Sequence, residues 1–228
     1  MVDLSIVMPC LNEEATVGRC VDDALAYLQG RSLRGEVIVA DNGSTDASAR
    51  IAQAHGARVI HESKRGYGFA LRAGMAAAKG SVIILGDCDC TYDFLRLDDF
   101  YEPLARGECD MMVGDRFAGG IDPGAMPLSH RIGVKALSWL GRLRYRTGVR
   151  DFHCGLRGIT AQAAHALPFQ TGGMEFATEM IALAARAGLR ISQCPTKLYT
   201  CGSPRRSKLR TLPDGFRHLR YILKRPNP

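Results

Sequence analysis

The chain has 228 residues, 46% hydrophobic and 23% charged, the composition of an ordinary soluble globular protein with room for one full core. No apolar run approaches the roughly 20 residues that span a bilayer, and Asp3 stands where a signal sequence would begin, so the reading is a cytoplasmic protein. Net charge is +7, but residues 1–115 carry 11 Lys/Arg against 18 Asp/Glu, and residues 116–228 carry 19 against 5: an acidic half suited to a cation precedes a basic half suited to an anion.

The first half alternates regularly. Residues 4–8 (LSIVM) read as a strand, and residues 13–28 place Val17, Val21, Leu25 and Leu28 on one helical face. A second strand at 36–40, a helix at 44–56, a strand at 57–61 and a helix at 66–80 repeat the unit. A fourth strand at 81–85, a helix at 94–106 and a strand at 109–114 follow. Such alternation with continuous apolar strands predicts an α/β domain with a mainly parallel sheet. The second half is less regular. Residues 118–127, rich in Gly and Pro, read as a mobile loop. Residues 128–145 read as a basic helix, 155–167 as a short strand and helix, 174–189 as a helix and 190–200 as extended chain.

In parallel sheets, ligands bind beyond the carboxyl ends of the strands. Here the first strand ends in Pro9, Asn12 and Glu13, the second in Asp41, Asn42 and Gly43, the fourth in Asp87 and Asp89, and the fifth in Asp115 and Arg116. Asp87-Cys88-Asp89 after a buried strand offers hard oxygen ligands suited to Mg²⁺ or Mn²⁺. Mg²⁺ takes only one or two carboxylates and fills its remaining positions with phosphate oxygens and water, so a site this sparse expects a phosphorylated ligand. Asp41 fits a ribose- or base-binding corner, whereas helix capping accounts for Ser44, Thr45 and Asp46. GYGFALRAG at 66–74 has Leu71 where a dinucleotide fingerprint needs glycine, which disfavours hydride transfer; Gly66 and Gly68 let the backbone pass close to a ligand or start a helix. The eight cysteines read as small buried residues, because no C-x-x-C pair exists and the Cys88–Cys90 spacing is poor for zinc. A pI near 9.1 invites a nucleic-acid reading, but aromatic interleaving and every known motif for it are missing.

Taken in order, VMPCLNEE, ADNGSTD, GYGFALRAG and GDCDCTYDF resemble the successive motifs of family 2 inverting glycosyltransferases with the GT-A fold. VGDRFAGG, RDFHCGLRG and GMEFATEM are similar to the polyprenyl-phosphate (dolichyl-phosphate) hexose synthase branch, and the match runs from about residue 4 to about residue 220. The resemblance implies a Rossmann-like GT-A sheet flanked by helices, with a basic acceptor-side extension. Residues 1–115 would form the nucleotide-sugar half, 116–204 the acceptor half of the same domain, and 205–228 a basic amphipathic tail. It implies Pro9, Asn12, Glu13, Asp41 and Asp87 at the nucleotide, with Asp41 at the base. Asp87 and Asp89 would meet the Mg²⁺ or Mn²⁺ ion, and Arg116, Arg131 and Arg157 the acceptor's phosphate; Asp89, Arg116 and Glu175 are the candidate catalytic residues. UDP-glucose is the first expectation for the donor, GDP-mannose the second, and polyprenyl phosphate the expected acceptor.

A phosphate acceptor is already an anion and needs no strong base, whereas a hydroxyl acceptor does. The nearest candidates are Asp151, Glu175 and Glu179, the last two one helical turn apart on a face that is otherwise simply solvated. Many relatives continue into membrane segments while this sequence closes on KRPNP, and Lys135 stands where polar amides are common. A soluble enzyme acting on a small molecule is therefore the alternative. A non-catalytic nucleotide-binding module is a third class, against which the intact D-x-D speaks. In the tail, Leu212, Phe216, Leu219 and Leu223 recur at helical spacing among Arg205, Arg206, Lys208, Arg210, Arg217, Arg220, Lys224 and Arg225. That pattern predicts either a peripheral contact with the inner face of a membrane or a helix packed on the domain.

Overall fold

Strand β1 (Val2–Cys10) buries Leu4, Ile6, Val7 and Met8 completely, which a strand achieves only with a layer on each face. The computed structural model describes residues 2–200 and 211–224 and places β1 inside one seven-stranded sheet. Parallel neighbours β2 (Gly35–Asp41) and β4 (Gly80–Leu85) flank it, with β3 (Arg58–His61) outside β2. Beyond β4, the short β6 (Arg157–Thr160) runs antiparallel between β4 and β5 (Met111–Asp115), and β7 (Ile191–Pro195) lies parallel to β5. The order is β3-β2-β1-β4-β6-β5-β7, so strands from both charge halves share one sheet.

Alternation along the strands divides the core. Ile6, Met8, Val82 and Ile84 face α1 (Val17–Gly30), α2 (Ser48–Ala54) and α4 (Asp98–Ala105). Val7, Ile83 and Leu85 face α3 (Tyr67–Ala77), α7 (Ala161–Ala166) and α8 (Phe176–Arg186). Each such side chain contributes about 1.5–3 kcal/mol on leaving water. Mainly parallel α/β architecture is thus observed, as the sequence predicts. The antiparallel insertion of β6 and the single turn α5 (Arg116–Gly119) are additions.

Two expectations change. The stretch 118–127 is stitched rather than loose: Ile121 bridges Leu198, the Asp122 N–H donates to the Leu198 carbonyl at 2.9 Å, and Lys197 pairs with Asp122 at 3.1 Å. The C-terminal helix α9 (Thr211–Leu223) packs on α6 (Leu128–Tyr145) and α8, but Phe216 and Leu223 of its apolar spacing face outwards. It buries Asp214, His218 and Ile222 instead. Arg205, Arg206, Lys208, Arg210 and Arg225 lie outside the described residues. Among the described residues no helix is long and apolar enough to cross a membrane.

Candidate active site

Strands β1, β2, β4 and β5 point the same way, so their carboxyl ends meet at one edge. A cavity of about 810 Å³ opens there, lined among others by Pro9, Glu13, Asp87, Asp89 and Arg116. Asp87 owes its position to a glycine: a Cβ on Gly155 would lie 2.3 Å from Asp87 Oδ2. Asp89 Oδ1 accepts the Thr91 N–H at 3.1 Å and the Thr91 hydroxyl, across a turn that puts Cys90 in the left-handed region (φ 61°). Burial raises the Tyr67 hydroxyl well above its ordinary pKa, with the Asp87 carboxylate adding to the shift, so a neutral phenol stands beside a carboxylate. Cys88 is buried, with its thiol on the Pro9 carbonyl, and the seven described cysteines are free.

The residues on either side of this edge brace it. Asn12 Oδ1 accepts the Thr45 N–H at 2.7 Å while the Asn12 N–H donates to Ser44 Oγ, tying the loops after β1 and β2 together. Asn42 holds the loop before α3, donating to the Glu62 and Lys64 carbonyls and accepting from the Gly66 N–H at 2.7 Å. Asp41 is 4% exposed; it accepts the Ser44 N–H and pairs with His61 at 3.2 Å. Burial alone would raise its pKa, but the bonds from Ser44, His61 and Gly43 outweigh it and hold the carboxyl below its ordinary value. Asn12 and Asp41 are not among the residues that line the cavity. Gly66 starts α3 and lines the cavity, and the close approach it allows is also to the chain itself: a Cβ on Gly66 would lie 2.1 Å from the Gly172 carbonyl oxygen, which accepts the Gly68 N–H at 2.9 Å.

The basic wall divides by partner. Arg116 lines the cavity, and its Nε and Nη2 grip the fully buried Asp151 at 2.6 and 2.9 Å. Arg157, 2% exposed, is turned away: its guanidinium donates to the carbonyls of Cys154, Ala177 and Phe152. Arg131 donates from Nε to the Met126 carbonyl and is also off the lining. The base candidates separate likewise. Asp151 is committed to Arg116. Glu179 is neither solvated nor available, since its carboxylate accepts the N–H groups of Gln170 and Thr171 and the Thr171 hydroxyl. Glu175 keeps a buried Oε2 with no hydrogen-bond partner, close against Gly173 and beside Arg217.

Several lining residues carry no sequence signal. His153 and His218 meet edge to face at 4.4 Å between ring centroids, and His218 Nδ1 pairs with Thr178 Oγ1 at 2.8 Å. Burial, then the neighbouring His218 and the arginines, pushes His153 well below its ordinary pKa; burial and Arg157 lower His218 to about 4, so both rings are neutral. Both ring nitrogens of His153 are buried without a partner. Arg217, from α9, also reaches the lining. Pairs brought together only by packing leave no trace in spacing.

The donor chemistry fits a hard divalent cation. Asp87 and Asp89 offer carboxylate oxygens on a cavity that leaves room for phosphate and water, which is the ligand mix such ions take. Among the described residues, no group of three or more His, Cys, Asp or Glu is placed to enclose an ion by itself.

The chain is similar to known proteins in family, sequence and fold. The family model described as glycosyl transferase family 2 matches residues 5–167. The chain is 39% identical over 223 residues to the low-salt glycan biosynthesis hexosyltransferase Agl6 of Haloferax volcanii, covering 96% of this chain but 53% of Agl6, so it spans about half that relative's length. It is 32% identical over 193 residues to the dolichyl-phosphate hexose transferase of the same organism, covering 85% of this chain and 81% of that one. Among solved structures, glucosyl-3-phosphoglycerate synthase of Mycobacterium tuberculosis with Mn²⁺, UDP-glucose and phosphoglyceric acid superposes with a TM-score of 0.75 at 25% identity, covering 99% of this chain and 81% of that one.

Proposed function

The chain belongs to glycosyl transferase family 2 and is a glycosyltransferase, and on that premise we propose that it moves a hexose, with inversion, from a nucleotide diphosphate sugar to a phosphate-bearing acceptor. UDP-glucose is the leading donor and polyprenyl phosphate the leading acceptor. The observation that carries this reading is the pairing, across one cavity, of Asp87 and Asp89 with Arg116. The relative named for dolichyl phosphate and the neighbour holding Mn²⁺ and UDP-glucose support it.

In this reading Asp87 and Asp89 hold an Mg²⁺ or Mn²⁺ ion, which when bound neutralises charge on the departing diphosphate. Tyr67 fixes Asp87, and the Thr91 turn fixes Asp89, so the carboxylates are oriented before the donor arrives. Asp41 and the Asn12 brace shape the nucleotide end. Arg116, held rigid by Asp151, faces the acceptor's phosphate, with Arg217 beside it; Arg157 keeps the wall in shape instead of touching the ligand. An acceptor phosphate oxygen attacks the anomeric carbon, the bond from that carbon to the diphosphate oxygen breaks, and the nucleoside diphosphate departs. A phosphate monoester has a second pKa near 6 and attacks as the anion, so no proton has to be removed.

One observation favours a second reading, a small soluble acceptor: the neighbour just described is bound to phosphoglyceric acid, itself a small phosphate ester. A hydroxyl would then be the attacking group and would need a base; Glu175, the candidate whose Oε2 is left without a partner, stands just off the lining beside Gly173 and Met174. A panel of nucleotide sugars with Mn²⁺, each tested with polyprenyl phosphate and with phosphoglyceric acid and analysed by mass spectrometry, separates the two. A glycosyl phosphate of the lipid supports the first reading, a glycosylated phosphoglycerate the second, and no product from any pair refutes both.

A further inference from the structure

Apart from Leu95, every exposed large apolar side chain among the described residues lies on α6 or α9, two helices that pack on each other. On α6, Leu128, Ile132, Trp139 and Leu143 are 71%, 62%, 56% and 60% exposed, and they fall along one helical face. On α9, Phe216 and Leu223 are 66% and 62% exposed, and with Leu219 they line a shallow apolar groove. Neither helix needs these residues for its own seating. α6 is anchored by Ser138, whose hydroxyl accepts the Phe152 N–H, and by Gly141 against the Phe152 ring. α9 is anchored by Asp214, His218 and Ile222. Apolar surface held in water on two adjoining helices marks an interaction face.

Charge selects the occupant. Residues 128–145 contain Arg131, Lys135, Arg142 and Arg144 and no acid. Residues 213–224 contain Arg217, Arg220 and Lys224, and their single acid, Asp214, is buried. An apolar stripe bearing an aromatic residue, flanked by cations, is the make-up of a helix that lies in a lipid–water interface. We propose that α6 and α9 together form a docking face for an anionic lipid bilayer. Both helices also line the cavity, α6 through His130, Gly133 and Leu137 and α9 through Arg217 and His218. The same two elements would therefore touch the bilayer and wall the cavity. The docking face goes beyond the transfer reaction and does not depend on which acceptor is used.

Trp139 is the chain's one tryptophan, so intrinsic fluorescence reports on this face alone. Vesicles containing phosphatidylglycerol should shift its emission to the blue and protect it from acrylamide; phosphatidylcholine vesicles should not. Raising salt should weaken the effect, and Arg220→Ala, an exposed cation on the α9 groove, should weaken partitioning about fivefold, the share of one cation near an anionic leaflet. The exposed double substitution Ile132→Glu/Leu143→Glu should abolish the shift while circular dichroism and donor binding stay unchanged. No shift with either vesicle would overturn the proposal. So would a blue shift that grows with protein concentration in vesicle-free buffer together with a doubled mass by light scattering, which would assign the face to a second copy of the chain. Donor binding measured in the same samples keeps a failure of docking distinct from a failure of the transferase reading.

Discussion

Asp87 and Asp89 reach the cavity because parallel strands end together; Arg116, Arg131 and Arg157, equally prominent in the sequence, have three different fates. Arg116 lines the cavity on a buried carboxylate, Arg131 holds a loop carbonyl, and Arg157 is spent on three backbone carbonyls. At the strand ends, chain position alone brings the acids to one edge. In the basic wall, position says little, because a long guanidinium can turn towards the cavity or the scaffold from nearly the same place. The contrast is one of degree: Asp87 and Asp89 are delivered to the cavity, but Asp41 and Asp115, also at strand ends, are taken by His61 and by the first turn of α5, so a strand-end carboxylate marks a site only where the scaffold leaves it on the cavity.

The largest effect should come from the strand ends. Asp89→Asn should lower turnover about 10³-fold, the several kcal/mol that a lost metal clamp represents, with an unchanged melting temperature. Turnover within a fewfold of the wild type would remove Asp89 from the chemistry. The arginine fates can be separated by urea unfolding. Arg157→Ala should cost about 3 kcal/mol or more by orphaning buried carbonyls. Arg116→Ala should cost about 3–5 kcal/mol by leaving Asp151 buried without its partner. Arg116→Ala/Asp151→Asn should recover much of that stability but not acceptor binding; recovery of both would make Arg116 a purely structural residue.

The neutral histidine pair gives a pH signature. With His218 lowered to about 4 from its ordinary 6.5, the unfolded state takes up a proton first as pH falls. Stability is therefore full above about pH 6.5 and is lost as pH drops towards 4, by up to about 3 kcal/mol from His218. His218→Gln should flatten the slope between about pH 7 and 5; an unchanged slope would mean that the ring is solvated. The smallest effect belongs to Arg217, whose side chain is 58% exposed. Arg217→Ala should raise the acceptor KM about fivefold, as an exposed charge contact of about 1 kcal/mol would, with the donor KM unmoved.

How far the sequence could be read follows the same division. The strands, the shared edge and the D-x-D were legible because apolar runs and strand termini are local features. β6 reads as a short strand, but RGIT says nothing of its place between β4 and β5. The amphipathic spacing in the tail was legible too, yet α9 seats itself by Asp214, His218 and Ile222 and turns Phe216 and Leu223 outwards. Glu175 and Glu179 look alike on a helix one turn apart; packing alone commits Glu179 to the turn at Gln170 and Thr171 and leaves Glu175 Oε2 without a partner. The His153–His218 contact joins residues far apart in the chain and has no sequence signature at all.

The central claim is that Asp87 and Asp89 bind the nucleotide sugar through a divalent cation, apart from the basic wall. Calorimetric titration of UDP-glucose into the wild type, Asp89→Asn and Arg217→Ala, each with and without Mn²⁺, tests it most directly. The account predicts Mn²⁺-dependent binding in the wild type and Arg217→Ala and none in Asp89→Asn. Equal binding with and without the ion in all three proteins, or loss in Arg217→Ala with retention in Asp89→Asn, would contradict it.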